Sequence, residues 1–325
     1  MAQNTKRSYG IDLARSVAIV GVVLVHSKCF DNGRFGVQLF FLVSGYLLAD
    51  LGNLSNRDFL IRRGLRLFPL YWAILILFYG AKYDSFWNLI VSLFLIQNIH
   101  WVFFSIPGAW SISNEWIFSL LLPMFSTIKR NRLILLIVLS WISQVLTSFL
   151  VYKWGGILTT DSPYQYAMKI WMNSLNPAIN LAFLLIGVGI KNKMLPVLKS
   201  KYIALSIIVF GNFTTYVVGH ELLFLWPLIL WAIFSMCLNW IPKSKLVKTV
   251  VTYIGKRTYG IFFIHFIVLE YIFSGNTLEF LPEIFGLRNI GVFILTFSTS
   301  AFLSEFAWRF IEKPSIRFSG RFIRR

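Results

Sequence analysis

Long apolar runs recur along this chain, and they constrain its fold more than any other feature. Two of them, residues 133–151 and 202–218, contain no charged side chain. About 20 apolar residues in a helix are enough to cross the hydrocarbon core of a bilayer. Only 14% of the 325 residues are charged, whereas about a quarter of an average soluble domain is charged. We therefore predict an all-α, polytopic bundle of membrane helices that forms a single domain, residues 1–325.

The positions of the apolar runs predict ten transmembrane helices. These cover residues 11–29, 35–50, 65–81, 110–127, 133–151, 178–190, 202–219, 221–240, 254–273 and 288–311. A further apolar run, residues 86–99, is short for a span. We predict that it is re-entrant or interfacial and does not cross the membrane.

The basic residues predict the orientation of the bundle. The net charge is +18, but the lysines and arginines stand in short clusters between the apolar runs. With ten crossings, most of these clusters fall on one side, as the positive-inside rule requires of cytoplasmic loops. If residues 86–99 also crossed, the cluster at 129–132 would move outside. We therefore expect both termini in the cytoplasm, a lipid bilayer around the chain and no nucleic-acid partner.

The first apolar run, residues 11–26, contains the ionisable residues Asp12, Arg15 and His26. Arg15 and His26 are eleven positions apart, which is about three turns and about 16 Å of helix. Both side chains therefore lie on one face, with Arg15 towards the predicted cytoplasmic side. Ionisable groups within an apolar helix normally face the protein interior or a water-filled cavity, where they mark a functional site.

Three arginines stand where the third predicted helix begins: Arg62, Arg63 and Arg66. Spacings of three and four residues bring helical side chains together. Guanidinium groups bind phosphate through two parallel hydrogen bonds, so this cluster predicts a binding site for a polyanion. Ordinary anchoring at a cytoplasmic membrane surface is the alternative.

Glu115 is expected near the outer end of its helix, at about the depth of His26. A carboxylate there would orient the imidazole or stabilise its protonated form. Pairing with a cation for assembly is the alternative. Ser44 and Gly45 are interpreted as residues that allow close helix packing, and His265 as a hydrogen-bonded packing residue. No histidines or carboxylates have the spacing of metal ligands, and no metal is predicted.

Six short motifs follow one another along nearly the whole chain. They are Asp12, Arg15 and His26; residues 36–45; Arg63–Arg66 with Pro69 and Tyr71; Trp110, Ser111 and Glu115; residues 255–265; and residues 311–314. In this order they resemble the motifs of the acyltransferase family 3 membrane proteins. Gln38 departs from the pattern, because many members have an acidic residue there.

The resemblance implies a multi-pass enzyme of the bacterial inner membrane with no bound cofactor. It would transfer an acyl group, usually acetyl, from cytoplasmic acyl-CoA to a hydroxyl of a carbohydrate or lipid-linked glycan of the cell envelope. Many members carry an SGNH-type hydrolase-like domain after the membrane part, and we expect none here. Assigned catalytic residues are His26, as general base, and Glu115. Assigned substrate-binding residues are Arg15, Arg62, Arg63, Arg66, Asp12, Trp110 and Ser111.

Two other interpretations stay open at this point. A transporter or flippase for a glycan or a lipid-linked anion would use the same arginines and the same polar groups within the membrane. A non-catalytic membrane scaffold is the other. The acceptor and the oligomeric state are not predicted by the sequence.

Overall fold

All regular secondary structure in the described residues is helical, which confirms the all-α part of the predicted fold class. The computed structural model describes residues 8–29, 34–49, 55–79, 85–100, 106–125, 128–154, 176–218, 225–272 and 287–322. Most of the predicted outer loop at 152–177 lies outside these residues.

Thirteen α-helices lie in these ranges. They are α1 (Tyr9–His26), α2 (Arg34–Leu48), α3 (Asn56–Ile74), α4 (Phe86–Leu93), α5 (Gln97–His100), α6 (Ala109–Phe125), α7 (Arg130–Trp154), α8 (Pro177–Lys191), α9 (Lys201–Val218), α10 (Trp226–Leu238), α11 (Lys245–Ile267), α12 (Leu287–Ala307) and α13 (Lys313–Phe322). Wider π-helical turns extend α3 over Leu75–Tyr79 and α11 over Val268–Ile272, and a third, Trp308–Glu312, joins α12 to α13.

The helices are those of a membrane protein. Among the described residues, three stretches are long and apolar enough to cross a bilayer: Tyr9–His26, Arg130–Thr147 and Arg288–Gly320. Shorter apolar helices accompany them. Large apolar side chains are exposed along α7, α9 and α12, for example Ile142 and Phe302. Such surfaces are rare on soluble monomers. The number of crossings and the sides of the termini stay predictions.

Helix α1 packs against several other helices of the bundle, as its polar face indicated. It packs against α2, α10 and α11, and side chains such as Ala14, Ala18 and Ile19 are fully buried. The contact with α11 is close, because a Cβ atom added to Gly255 would lie 2.9 Å from the Cα of Asp12. Small residues permit this approach of two helix backbones.

Helices α2 and α8 make the most extensive contact in the described bundle. Gly45 lies against the carbonyl oxygen of Leu184, and Gly187 against that of Leu42. A side chain at either glycine would overlap the opposite backbone. The predicted packing role of Gly45 is confirmed.

Residues 86–99 do not form one continuous helix. Helix α4 ends at Leu93, and Leu95 adopts a left-handed backbone with φ 56° before α5 begins. Eight residues of helix extend about 12 Å, well short of a bilayer core of about 30 Å. Two side chains of α3 donate hydrogen bonds to backbone carbonyls at the end of α4. The Tyr71 hydroxyl donates to the Ser92 carbonyl, and Trp72 Nε1 donates to the Leu93 carbonyl.

Several helices extend beyond their apolar stretches. Helix α3 begins nine residues earlier than predicted, because Ser55 caps it by accepting a hydrogen bond from the Asp58 amide at 3.1 Å. Ser244 caps α11 in the same way through Val247. These caps satisfy backbone N–H donors that have no partner in the first turn of a helix. A helix can therefore begin in polar sequence, which a prediction from apolar runs leaves out.

Candidate active site

A cavity of about 70 Å³ lies where α1, α2, α3, α6 and α11 meet. We call it the arginine cavity, because Arg15, Arg63 and Arg66 line it together with Glu115. The remaining wall is mostly apolar. A single water needs roughly 10–15 Å³ of such space, so the cavity accommodates a few waters or one group of similar size, such as a phosphate or a small acyl group. Three helices contribute its charges, although these residues are far apart in the sequence.

Glu115 is bonded within this cavity. Arg63 Nη2 donates to its Oε1 atom, and the Ser44 hydroxyl donates to the same oxygen at 2.7 Å. Arg63 Nε also donates to the Ser119 hydroxyl at 3.1 Å, and that hydroxyl donates to the Glu115 carbonyl. Ser44 is therefore part of the charged network and not only a small packing residue. The network ties α2, α3 and α6 together.

Arg15 and Arg66 supply positive charge to the arginine cavity beyond the Arg63–Glu115 pair. Arg15 interacts electrostatically with Asp12, Glu115 and Glu312, and it is repelled by Arg66. The lining itself contains three guanidinium groups and one carboxylate. An anion bound in this cavity would therefore meet the guanidinium groups of Arg15 and Arg66 in addition to the Arg63–Glu115 pair.

Arg62 does not join the other two arginines. Its side chain is exposed and is not among the residues that line the cavity, whereas Arg63 is 6% exposed. Successive helical residues differ by about 100° in direction, so Arg62 and Arg63 cannot both point inward from α3. Arg63 and Arg66, three residues apart, do share the inward face. The expectation that all three arginines converge is wrong for Arg62.

His26 lies at the other end of α1, in a second cavity of about 540 Å³. We call it the histidine cavity; Ser27, Lys28, Arg288 and Asn289 also line it. The side-chain amide of Asn289 donates a hydrogen bond to the Lys28 carbonyl at 2.9 Å and so joins α12 to the end of α1. The His26 ring is exposed to this space.

The neighbours of His26 are aromatic. Its ring centroid lies 5.3 Å from that of His265 and 4.6 Å from that of Phe266. Glu115 lies instead with Arg63 and Ser44. The structure therefore does not bring Glu115 to His26, as their similar predicted depth suggested.

The other predicted residues have different surroundings. Asp12 is 6% exposed and packs against Gly255, outside both cavities. Trp110 packs its ring edge-on against Phe41, and its carbonyl accepts a 2.6 Å bond from Asn98. Ser111 lines the arginine cavity and donates to the Gly108 carbonyl at 2.9 Å.

Three residues of the site were not assigned from the sequence. Tyr259 lines the arginine cavity, and its hydroxyl donates to the Leu67 carbonyl at 2.6 Å. Glu312 is 5% exposed and interacts with Arg66 and Arg15. His265 is fully buried beside His26. Each falls within a motif that carried the family resemblance, which was the available signal. Among the described residues, no group of three histidine, cysteine or acidic side chains could hold a metal ion.

Comparison with known proteins supports an acyltransferase. A family model described as an acyltransferase domain matches residues 8–305. The chain is 25% identical to a Staphylococcus aureus protein named "Putative O-acetyltransferase SACOL0978", over 94% of this chain and 56% of the relative. It is 28% identical to the peptidoglycan O-acetyltransferase OatA of Listeria monocytogenes, over 95% of this chain and 56% of that protein. The chain thus spans about half the length of these relatives. No solved structure matches it.

Proposed function

Because the chain belongs to the acyltransferase domain family, we propose that it transfers an acyl group, usually acetyl in its relatives, to a hydroxyl of a surface polymer. The curated relatives are named as O-acetyltransferases, one of them acting on peptidoglycan. The donor is cytoplasmic acyl-CoA, and the acceptor is a carbohydrate or lipid-linked glycan. The enzyme resides in the bacterial inner membrane with both termini in the cytoplasm.

The main support is the arginine cavity. A buried space lined by Arg15, Arg63 and Arg66 suits a phosphate group of the donor, because guanidinium groups bind phosphate oxygens in pairs. Arg63 is held by Glu115 and Ser119. Arg66 and Arg15 are therefore the arginines assigned to contact the donor directly, with Arg63 and Glu115 holding the wall of the site.

His26 acts as the general base in this proposal. Its exposed ring stands in a cavity large enough for a sugar hydroxyl to approach, and a neutral imidazole suits proton transfer near physiological pH. The acceptor oxygen attacks the thioester carbonyl, its proton passes to His26, and the carbon–sulfur bond breaks. The proton then goes to the leaving thiolate. An acyl-His26 intermediate is the covalent variant of the same step.

The two cavities are joined by α1. Arg15 and His26 are about 16 Å apart along its axis. A donor whose phosphates bind the arginines must extend its flexible arm along this helix to present the thioester to His26. In this proposal, phosphate binding and acyl transfer take place at the Arg15 and His26 positions of one helix.

Replacing His26 with alanine tests the catalytic assignment. We expect transfer to fall about 10²–10⁴-fold, the usual contribution of a general base. Membranes that contain equal amounts of wild type or His26→Ala are incubated with radiolabelled acetyl-CoA and cell-envelope glycans. Equal labelling by both proteins would remove His26 from the mechanism. No labelling by the folded wild type with any acceptor would refute the acyltransferase and favour glycan transport.

Arg66 and Arg62 make a matched pair for the donor site. Arg66→Gln is expected to raise the Kd for acetyl-CoA about 10- to 100-fold, the value of one hydrogen bond to a charged group. Arg62→Gln, on the exposed side of the same helix, should leave the Kd unchanged. Both are measured by equilibrium binding on purified protein. An equal loss of affinity in the two variants would mean that general surface charge, and not a donor site at Arg66, binds acetyl-CoA.

A further inference from the structure

His265 is held in one tautomer by α11. Its Nδ1 atom lies 3.1 Å from the carbonyl oxygen of Ile261, one turn earlier. A carbonyl oxygen only accepts hydrogen bonds, so Nδ1 carries the proton. A neutral imidazole has one protonated nitrogen and one lone pair. The lone pair of His265 is therefore on Nε2.

That lone pair is buried without a hydrogen bond. His265 has no solvent exposure, and within the described part of the chain Nε2 has no partner. Buried polar atoms nearly always have a partner in folded proteins. An acceptor left open in this position calls for a donor within reach of it in the folded protein.

His26 is placed to be that donor. The ring centroids of His26 and His265 are 5.3 Å apart. Phe266 contacts both rings: its ring centroid lies 3.9 Å from that of His265 and 4.6 Å from that of His26. Two imidazoles joined by a hydrogen bond of roughly 3 Å have centroids about 5 Å apart, because each ring adds about 1 Å. The observed spacing is close to that value, and the His26 ring is exposed at the end of α1.

We propose that His265 is a positioning residue for His26, with its buried Nε2 accepting a hydrogen bond from one ring nitrogen of His26. This inference rests on the proposed role of His26 as general base. The bond leaves the other nitrogen of His26 with its lone pair towards the histidine cavity, where the acceptor hydroxyl arrives. Once His26 has taken the hydroxyl proton, both its nitrogens are donors, and the bond to His265 holds the charged ring in place.

The charges around His26 favour a neutral partner of this kind. Lys28 and Arg288 line the same cavity, and the lining described by the structure includes no carboxylate. In many catalytic sites a third group orients the base. Here the only polar ring in contact with His26 among the described residues is that of His265.

Two substitutions at His265 separate positioning from packing. Asparagine places its amide near the Nδ1 position, so His265→Asn keeps the bond to Ile261 and loses the acceptor. Glutamine reaches the Nε2 position, so His265→Gln restores an acceptor for His26. We expect His265→Asn to lower kcat roughly tenfold or more, as for one lost hydrogen bond, with KM for donor and acceptor unchanged. His265→Gln should recover most of the rate.

The opposite order of activities would overturn the proposal, because a purely structural role depends on the bond to Ile261 and favours asparagine. Wild-type kcat in His265→Asn would overturn it as well.

A further measurement keeps both His26 and His265 and does not depend on the enzyme activity. In protein labelled with ¹⁵N-histidine, a coupling across the hydrogen bond between a His26 nitrogen and Nε2 of His265 is expected. The signals are assigned with His100→Asn and His220→Asn. Absence of the coupling in folded protein refutes the bond. Absence of acyl transfer with the coupling present refutes the proposed function alone.

Discussion

Replacing Glu115 with glutamine removes the carboxylate that faces Arg63 inside the bundle. The two side chains are 17% and 6% exposed, so bulk water replaces little of the lost interaction with the carboxylate. Breaking a buried ion pair costs about 3–5 kcal/mol. Because Arg63 keeps its 3.1 Å hydrogen bond to Ser119, we expect the loss in the free energy of unfolding to lie near the lower end of this range, at about 3 kcal/mol. At roughly 2 °C per kcal/mol for a large domain, Tm should fall by about 6 °C.

The pairing is measured by a double-mutant cycle with Arg63→Met. The double variant removes both charges of this pair, so its loss of stability should be smaller than the sum of the single losses by about 0.5–3 kcal/mol. Thermal unfolding in detergent, followed by tryptophan fluorescence, gives all four values. Arg309→Gln is the control, since that side chain is 66% exposed and its ion pair contributes below about 0.5 kcal/mol. Additive losses in the cycle would refute the energetic coupling.

Two further predictions concern stability, and each is measured by the same unfolding assay. Gly45→Ala should lower the free energy of unfolding by about 1–3 kcal/mol, because the new methyl group overlaps the Leu184 carbonyl. Gly64→Ala should raise it by about 0.5–1 kcal/mol, because the atom nearest to the new methyl group would lie 3.5 Å away. Equal shifts at the two glycines would contradict the packing argument. Tyr259→Phe removes the 2.6 Å bond to the Leu67 carbonyl and should cost about 1 kcal/mol; an unchanged Tm would mean that this bond adds no net stability.

Helix positions were largely predictable, and helix ends were not. Each of the ten apolar runs overlaps a described helix, because apolar length is a local property of the sequence. The starts of α3 and α11 differ because Ser55 and Ser244 cap polar turns. The family resemblance, which rests on motifs in order along the chain, agrees with a family match over residues 8–305.

The candidate site was predicted in part. The placement of Arg15 and His26 about three turns apart on one helix followed from helical geometry alone. The partner of Glu115 could not be predicted in this way, because the depth of a residue in the membrane does not determine which helices are neighbours. His265 was interpreted as a packing residue, since a histidine in an apolar helix carries no sequence signal of the ring that it contacts.

The sequence by itself determined a helical membrane protein of the acyltransferase family and the residue types of its site. Apolar run length, charge clusters and ordered motifs are local or one-dimensional properties, so the chain alone determines them. Only the tertiary structure decided which of these residues meet: Glu115 with Arg63 and Ser44, and His26 with His265. The physical reason is that these contacts depend on which faces of separate helices pack together. That choice is made by backbone contacts such as those of Gly45 and Gly255.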